Sequence, residues 1–367
     1  HRQLLASGKG RRMGLKILHT ADWHLDSPFG GFSETQRELL KDEQRKLPGK
    51  IVDLCVRENC DLVLLAGDVF DTPQPRREAI EDVKQALSRC PVPVFITPGN
   101  HDFVCPGSPW LAETWPENVH IFTGTLESVV LEELDCRVYG AGYRSMDCAP
   151  LLEGFHAEGS EKYCVGVLHG DPTQRESPCC PVTVSQVRES GLSYLALGHI
   201  HKAGAFRAGG ALCVWPGCPM GRGWDETGDK GVCIVTLEDE AQVQPVSLDT
   251  LRFFDLEVEV GADPVTSLEG ILPPKGNRNF YRITLTGSGQ VDLKAISGEF
   301  PDFPNLTLVD KTQPPVDLWE STDADTLEGV YFQLLHKALS ENPERQRQIT
   351  LAAEISRKIL DGREVKL

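Results

Sequence analysis

Short apolar runs that each end in a polar, Gly- or Asp-containing turn constrain the fold of this chain more than any other feature. Four of them span residues 16–20, 62–66, 92–97 and 163–168. Each run has the length of a buried strand. Amphipathic stretches separate them, so the pattern predicts a layered α/β domain, and in such domains ligands collect beyond the carboxyl ends of the strands.

Helix-period apolar positions between the strands predict covering helices at residues 35–59 and 76–88. Further along, residues 211–215 and 231–236 resemble a pair of strands that would extend a sheet. We therefore expect a sheet with helices packed against it.

The pattern changes near Thr250. Residues 253–260, 279–285 and 305–309 have strand-like patterns, and helical candidates at 264–272 and 291–297 separate them. This order of elements predicts a second, small α/β domain. Helical periodicity then continues to residue 360, with a break at Asn342-Pro343 that predicts two terminal helices.

These patterns predict the domain organisation. Residues 1–12 are basic but lack an apolar core, so they are interpreted as an extension or expression remnant rather than a signal peptide. We expect a main α/β domain at 13–248, the small α/β domain at 249–315, and a linker with C-terminal helices at 316–367.

Composition narrows the function classes. No apolar run reaches the roughly 20 residues that cross a bilayer. Twelve scattered Cys residues without a secretory signal favour a reducing cytoplasm over a disulfide-stapled fold. A formal net charge of −17 means that a nucleic-acid partner would need a local basic patch, bound metal ions or an accessory subunit.

Five polar motifs follow the predicted strands or lie in turns. They are Asp22-Trp23-His24, Gly67-Asp68, Gly99-Asn100-His101-Asp102, His169-Gly170 and Gly198-His199-Ile200-His201. The seven candidate metal ligands among them are Asp22, His24, Asp68, Asn100, His169, His199 and His201. This mixed nitrogen and oxygen set suits Mn²⁺, Fe²⁺ or Zn²⁺ better than Ca²⁺ or Mg²⁺. Seven ligands are too many for one ion, so two ions are expected, of which Mn²⁺ is favoured and Fe²⁺ or Zn²⁺ are alternatives.

Asp68 is the candidate carboxylate that bridges the two ions, an arrangement used for in-line displacement at phosphorus. In an extended segment Asp22 and His24 would share a face, and so would His199 and His201. The neighbouring glycines would permit the tight turns and positive φ angles that such a site needs.

The five motifs resemble those of the calcineurin-like metallophosphoesterases over about residues 15–240. The resemblance implies a two-sheet sandwich flanked by helices. It also implies that one metal is held by Asp22, His24, Asp68 and His201. The second would be held by Asp68, Asn100, His169 and His199, with His101 as a catalytic residue that binds no metal and acts on the leaving oxygen or the phosphate charge.

Within that family, the residues of the motifs are similar to those of the SbcD-type DNA repair exonucleases rather than to those of the protein Ser/Thr phosphatases. The segment from His19 to Leu25, the Asn100-His101-Asp102 triplet and Pro216-Gly217 carry this similarity, and the small domain matches a capping domain. The sequence departs from the SbcD pattern after Leu25, where Asp26-Ser27 replaces the usual Gly.

Other residues near the motifs have two interpretations each. Asp71 and Asp102 orient ligand histidines or lie in surface turns, and His19 bonds a ligand or is a buried structural imidazole. Trp23, Phe29 and Phe70 stack on a base or pack in the core. Arg175, Lys202 and Arg222 contact phosphates or are solvated, whereas His120 and His156 lack ligand spacing.

The expected function is two-metal hydrolysis of phosphodiesters, as a DNA exonuclease or endonuclease in DNA repair. One alternative is a phosphodiesterase or phosphatase acting on nucleotides or other small phosphoesters, and another is a scaffold subunit for an SMC-like ATPase. DNA is the expected substrate, an SMC-like ATPase and a second copy of the chain are possible partners, and no membrane partner is expected.

Overall fold

The computed structural model describes residues 14–261, 263–313, 318–319, 325–360 and 362. The predicted extension at residues 1–12 and most of the predicted linker lie outside the described residues.

The strands and helices of the described residues follow in chain order. The strands are β1 (Leu15–Thr20), β2 (Leu62–Leu65), β3 (Val94–Ile96), β4 (Val119–Ile121), β5 (Glu127–Leu131), β6 (Cys136–Gly140), β7 (Tyr163–His169), β8 (Tyr194–Gly198), β9 (Gly204–Ala208), β10 (Ala211–Trp215), β11 (Gly231–Leu237), β12 (Ala241–Ser247), β13 (Phe253–Glu259), β14 (Phe280–Thr286) and β15 (Leu306–Asp310). The helices are α1 (Glu34–Arg57), α2 (Arg77–Ser88), α3 (Pro109–Ala112), α4 (Val184–Glu189), α5 (Pro264–Glu269), α6 (Leu293–Gly298), α7 (Leu327–Glu341) and α8 (Gln346–Leu360).

Two six-stranded mixed sheets form the larger part of the described fold. The first has the order β12-β11-β1-β2-β3-β4, and the second has the order β5-β6-β7-β8-β10-β9. Strands β1, β2 and β3 are parallel to one another, as are β7 and β8. Their carboxyl ends therefore meet at the same edge of each sheet.

The two sheets share a buried core. Ile17 and Leu64 from the first sheet and Val165 and Ala196 from the second belong to one apolar cluster, and each is 0% exposed. Strands covered on both faces are apolar at successive positions, which explains why the sequence runs are continuous rather than alternating. The prediction of a two-sheet sandwich is confirmed.

Helices α1 and α2 cover the outer face of the first sheet. Alternate residues of β1 and β2, such as Leu18 and Val63, pack in a cluster with Leu47 of α1 and Val83 of α2. Helix α1 begins with a capping box in which Ser33 and Gln36 exchange hydrogen bonds. Both predicted covering helices are thus present, with shifts of one or two residues at their ends.

Residues 211–215 and 231–236 are strands, as predicted, but the expectation that they extend one sheet is wrong. Strand β10 joins the second sheet beside β8 and β9, whereas β11 pairs antiparallel with β1 in the first sheet. Each strand extends a sheet, and the sequence pattern does not contain the information that assigns them to different sheets.

The described chain divides into two compact units. The first contains the described residues up to Asp255 together with 277–282 and 303–305, and the second contains the described parts of 256–276, 283–302 and 306–367. Strands β13, β14 and β15 form a three-stranded sheet. The predicted boundaries at 248/249 and 315/316 stay predictions.

Helices α7 and α8 lie in the second unit, and the predicted break at Asn342-Pro343 separates them. Arg357 of α8 stacks over the ring of Phe332 in α7, 4.2 Å from the ring centroid. Within the described residues, no helix combines the length and the apolar character needed to span a bilayer.

His19 ties the two sheets together inside the core. Its Nδ1 lies 2.7 Å from the hydroxyl of Tyr194, and its Nε2 lies 3.0 Å from the carbonyl oxygen of Leu197, both on β8. Because a carbonyl only accepts, Nε2 donates and Nδ1 accepts from the tyrosine hydroxyl. Burial lowers the pKa of His19 to about 3 against the opposing effect of the Leu197 hydrogen bond. His19 is therefore a buried structural imidazole.

This lowered pKa predicts a pH-dependent stability. The pKa of an unfolded histidine is about 6.5, so the stabilisation by neutral His19 is fully present above that pH and is lost as the pH falls toward 3. The free-energy difference between wild type and His19→Gln should shrink by up to about 1.4 kcal/mol per pH unit below pH 6.5. Urea denaturation between pH 5 and 7.5 measures this, with exposed His156→Gln as the control; a difference that does not change with pH would contradict it.

Candidate metal centre

The structure brings all seven predicted ligands together at the carboxyl ends of five strands. Three strands of the first sheet and two of the second contribute them. Asp22 and His24 follow β1, Asp68 follows β2, Asn100 follows β3, His169 ends β7, and His199 and His201 follow β8. Five of the seven side chains are buried, and His199 and His201 are partly exposed.

The loops after β1 and β2 run side by side and place their ligands close together. The amide of Asp22 donates to the carbonyl of Gly67 at 3.0 Å, and the amide of His24 donates to the carbonyl of Asp68 at 2.9 Å. These hydrogen bonds continue the pairing of the two strands beyond their ends, so the relative positions of these ligands are set by backbone contacts.

The expectation that Asp22-Trp23-His24 and His199-Ile200-His201 are extended is wrong. Asp22, His24, Asp68 and His199 have positive φ angles of 54°, 44°, 50° and 97°. Non-glycine residues in this region are uncommon and are strained, and such strain concentrates at functional sites. The side chains therefore converge through left-handed turns and not through strand alternation.

Two glycines allow side chains to approach the backbone of these loops. A Cβ atom at Gly67, where φ is +87°, would lie 2.3 Å from His169 Nδ1, and one at Gly99 would lie 2.2 Å from Asp68 Oδ1. Gly67 fits the predicted need for a positive φ. At Gly99 the backbone does not require glycine, but a side chain would clash with Asp68.

One group of donor atoms contains the side chains of Asp22, His24, Asp68 and His201. His24 Nε2 lies 3.0 Å from His201 Nε2 and 3.6 Å from Asp68 Oδ2. His201 Nε2 lies 4.0 Å from Asp22 Oδ1. This is the set that the family resemblance assigns to one metal.

A second group contains the side chains of Asp68, Asn100, His169 and His199. Asn100 Oδ1 lies 2.9 Å from His169 Nε2 and 3.2 Å from His199 Nδ1, and His169 Nε2 lies 3.4 Å from Asp68 Oδ2. The same oxygen of Asp68 thus faces both groups. The arrangement matches the second predicted set.

The hydrogen-bond partners of the histidines are compatible with divalent cations at these donor atoms. The outer nitrogens, Nδ1, of His24 and His201 face the carboxylates of Asp71 and Glu226 at 3.0 and 2.6 Å. Because carboxylates accept, both Nδ1 atoms carry hydrogen, so in the neutral form of the two rings the facing Nε2 atoms are both lone pairs. A divalent cation between them would accept both lone pairs, and neighbouring ligands with bonds of about 2.1 Å to one ion lie about 3 Å apart.

His169 gives the same result for the second group. Its Nδ1 donates to the carbonyl oxygen of Ala66 at 2.9 Å, so in the neutral ring its Nε2 is a lone pair directed at the same space as the oxygens of Asn100 and Asp68. An imidazole whose outer nitrogen donates to a carbonyl or carboxylate is the usual form of a metal-ligating histidine.

Burial and neighbouring charges have opposite effects on the pKa values of the two candidate carboxylate ligands. Burial raises the pKa of Asp22 to about 6 against the charges of His169 and His201. Burial also acts to raise the pKa of Asp68, but His169 and His24 outweigh it, so that pKa is lowered. Burial lowers the pKa of His24 well below its usual value and that of His199 to about 4, which keeps these imidazoles in the neutral, ligating form.

Arg222 joins the two carboxylates that hold the outer nitrogens of His24 and His201. Its Nη1 lies 3.0 Å from Asp71 Oδ1, and its Nη2 lies 2.9 Å from Glu226 Oε1. Asp71 therefore contacts the candidate ligand His24, as one of its two interpretations predicted. Arg222 is ion-paired rather than solvated, and its guanidinium contacts carboxylates in this structure.

Sequence reasoning missed Glu226. This residue is 6% exposed and lies nine residues beyond Gly217, in a segment outside the named helices and strands. Glu226 lies four residues after Arg222, but this spacing does not predict a contact in an irregular segment, because it brings side chains together only on helices. Cys218 also lies near His201 and Glu226, as a third member of a group of potential ligands.

Asp102 is buried and holds the loops rather than a histidine. Its two carboxylate oxygens accept the backbone amides of Gly99, Val69 and Phe70 at 2.7, 2.8 and 3.2 Å. It thereby links the loop that carries Asn100 to the loop that carries Asp68. Burial raises the pKa of this carboxyl group to about 7, assisted by the charge of Asp68.

His101 lies at the opening of the site. Its backbone amide donates to Asp68 Oδ1 at 2.9 Å, whereas its side chain is 42% exposed. Its ring centroid lies 4.7 Å from that of His24. The structure thus anchors the main chain of His101 to a candidate ligand and leaves its imidazole accessible.

The aromatic residues considered for base stacking lie in the core. Trp23, Phe29 and Phe70 are 2%, 4% and 0% exposed, which fits the packing interpretation. Arg175, Lys202 and His156 are exposed, and His120 packs against Phe95 and Phe122. The twelve cysteines are all free, in agreement with the expectation that disulfides do not hold the fold together.

Comparisons with known proteins identify relatives of this chain. Residues 15–203 match the model of a family described as calcineurin-like phosphoesterase. The chain is 32% identical over 277 residues to YhaO of Bacillus subtilis (strain 168), which is named an uncharacterized metallophosphoesterase, and the match covers 70% of this chain. The chain spans 65% of the length of that relative.

Solved structures align with the chain at low identity. A dimetal phosphatase from Danio rerio superposes with a TM-score of 0.43 at 14% identity, covering 64% of this chain and 99% of that chain. An archaeal phosphodiesterase superposes with a TM-score of 0.34 at 16% identity, covering 63% of this chain and 100% of that chain.

The contact between Glu226 and His201 generates a prediction about metal affinity. Loss of a residue that orients a ligand histidine weakens metal binding by about 10–100-fold, so Glu226→Ala should weaken the affinity of one Mn²⁺ site by that factor. Calorimetric titration of chelator-treated protein with Mn²⁺ measures it, and exposed Glu240→Ala serves as the control. Wild-type affinities at both sites in Glu226→Ala would show that this contact does not support metal binding.

Proposed function

Because the chain belongs to the calcineurin-like phosphoesterase family, we propose that it is a two-metal hydrolase that cleaves phosphodiester bonds, with DNA as its substrate. The observation that carries this proposal is the position of Asp68 Oδ2, 3.6 Å from His24 Nε2 and 3.4 Å from His169 Nε2. One carboxylate oxygen thus faces two groups of donor atoms, as a residue shared by two ions would.

Each group would hold one ion. Asp22, His24, Asp68 and His201 would hold the first, and Asp68, Asn100, His169 and His199 would hold the second. Bound divalent cations lower the pKa of water toward neutrality and stabilise the charge that develops on a phosphate during in-line displacement. Mn²⁺ is the proposed metal, with Fe²⁺ and Zn²⁺ as alternatives, because the donors are mixed nitrogen and oxygen atoms.

His101 is the proposed catalytic residue that binds no metal. Its exposed imidazole lies beside the donor groups, while its backbone amide is held by Asp68. An accessible imidazole next to the reacting phosphate would donate a proton to the departing alcohol oxygen. The fixed main chain would keep the ring at the opening where a substrate arrives.

The similarity of the motifs to SbcD-type exonucleases supports DNA as the substrate. The formal net charge of −17 does not oppose this proposal, because cations in the site would offset local negative charge. An SMC-like ATPase partner and a second copy of the chain belong to the same proposal and rest on the same similarity. The proposed cytoplasmic location rests on the twelve scattered cysteines.

Digestion of end-labelled DNA tests the proposal. Wild type with Mn²⁺ should degrade it, whereas His101→Gln should bind two equivalents of Mn²⁺ and cleave about 10²–10⁴-fold more slowly, the usual contribution of a general acid. The matched control is His156→Gln, which changes an exposed histidine remote from the metal ligands and should retain the wild-type rate.

The outcomes separate the alternatives. Intact duplex and single-stranded DNA, together with rapid cleavage of small phosphodiesters or mononucleotides, would overturn DNA as the substrate and leave a small-molecule phosphoesterase. The scaffold alternative is tested in a strain that lacks this gene. If Asp68→Ala abolished metal binding but complemented the deletion as well as the wild-type gene does, the scaffold alternative would hold instead.

A further inference from the structure

A pocket of about 540 Å³ lies beside the candidate metal centre, within the first compact unit. Its walls include Phe32, Trp224 and Arg282, together with Gly30, Gly31 and Arg222. Pockets of about 300–1,000 Å³ accommodate small organic ligands, so the space is large enough for a nucleoside.

Arg222 is the wall that the pocket shares with the metal centre. Its Nη2 lies 3.3 Å from Nδ1 of the candidate ligand His201, and its Nη1 lies 3.0 Å from Asp71. The guanidinium group of Arg222 therefore lies between the pocket and the candidate metal ligands. A group attached to a phosphate at the metal centre would be close enough to enter it.

Trp224 provides an aromatic surface whose position is fixed by packing against Phe253. Its ring packs edge-on against Phe253, which is fully buried, with centroids 5.2 Å apart and planes at 84°. Phe32 also packs against Phe253, with centroids 5.6 Å apart. Because the buried phenylalanine supports both rings, these surfaces are fixed before a ligand arrives.

Both arginines of the pocket are already paired with carboxylates. Arg282 lies over the ring of Trp224, 4.8 Å from its centroid, and its Nε lies 3.0 Å from Asp255 Oδ1. Arg222 is paired with Asp71 and Glu226, and the exposed carboxylate of Asp225 lies at the rim. The described walls therefore offer flat surfaces rather than an unpaired cation, which favours an aromatic ligand over a second phosphate.

Gly30 and Gly31 leave the opposite side of the pocket open. A Cβ atom at either position would meet no heavy atom within 4 Å. The φ of Gly31 is +85°, whereas Gly30 lies outside the left-handed region. A larger side chain at position 30 would thus fill the space without steric conflict at its Cβ atom.

We propose that the pocket formed by Trp224, Phe32, Arg282 and Arg222 binds the nucleobase adjacent to the scissile phosphate, by stacking. The proposal rests on phosphodiester hydrolysis at the metal centre. Every base has a flat π face, so stacking on an aromatic ring accepts different bases. The ligand class is therefore a nucleotide or a nucleic-acid terminus, rather than a phosphoester without a base.

A pair of matched substrates tests the proposal on the full chain with Mn²⁺. Thymidine 5′-(p-nitrophenyl phosphate) and methyl p-nitrophenyl phosphate have the same leaving group and differ in the nucleoside. Wild type should prefer the thymidine ester, and Trp224→Ala should reduce the ratio of kcat/KM values for the two esters by about tenfold or more, the scale of one base–aromatic stack. Trp224→Phe should retain most of the preference.

A second variant avoids damage to the aromatic wall. Gly30→Leu should fill the pocket and reduce the same ratio, whereas Gly210→Leu is the control, because its Cβ atom also meets no atom within 4 Å and it lies in the turn between β9 and β10. Equal losses on both esters, or an unchanged ratio in both Trp224→Ala and Gly30→Leu, would overturn the proposal.

Direct binding separates this proposal from the proposed function. Wild type should bind thymidine 5′-monophosphate at least tenfold more tightly than deoxyribose 5-phosphate, and Gly30→Leu should remove that difference in calorimetric titrations. If neither ester is hydrolysed but this difference is found, the base pocket stands and the hydrolytic function fails. Equal affinities of wild type for the two ligands would overturn the base pocket even if both esters are cleaved.

Discussion

The close approach of His24 Nε2 and His201 Nε2, 3.0 Å apart, is the constraint on which the rest of the site depends. The outer nitrogen of each ring donates to a carboxylate, so in the neutral form of both rings the inner nitrogens face each other with lone pairs. Such an arrangement is stable when a cation occupies the space between them. The left-handed turns at Asp22 and His24 are also imposed by their surroundings, because local backbone strain persists where surrounding contacts enforce it.

Arg222 connects this constraint to the part of the site that would meet the substrate. On one side it pairs with Asp71 and Glu226, which hold the two imidazoles, and on the other side it lines the pocket beside Trp224. A ligand in the pocket would therefore contact a residue that also supports the histidine ligands. Because Arg222 contacts both, it can hold the proposed base pocket and the proposed metal centre in a fixed position relative to each other.

Much of the fold was predictable because the local patterns agree with the tertiary structure. The strands β1, β2, β3 and β7 are buried over most of their lengths and largely apolar, since sheets and helices cover both faces. The assignment of β10 and β11 to one sheet failed, because strand pairing depends on contacts between distant segments. The extended geometry expected for Asp22 and His24 failed as well, since hydrogen bonds to the loop after β2 determine their dihedral angles.

The sequence by itself determined the chemical identity of the candidate metal centre: two carboxylates, an amide and four imidazoles placed after strands, where parallel strand ends bring them to one edge. Tertiary structure decided which donor atoms face each other, because distances between loops of different sheets depend on how the sheets pack. It also decided that Glu226 and Arg222 support the histidines and that Trp224 lines a neighbouring pocket. These residues lie in irregular segments, where no local periodicity links their positions to the ligands they contact.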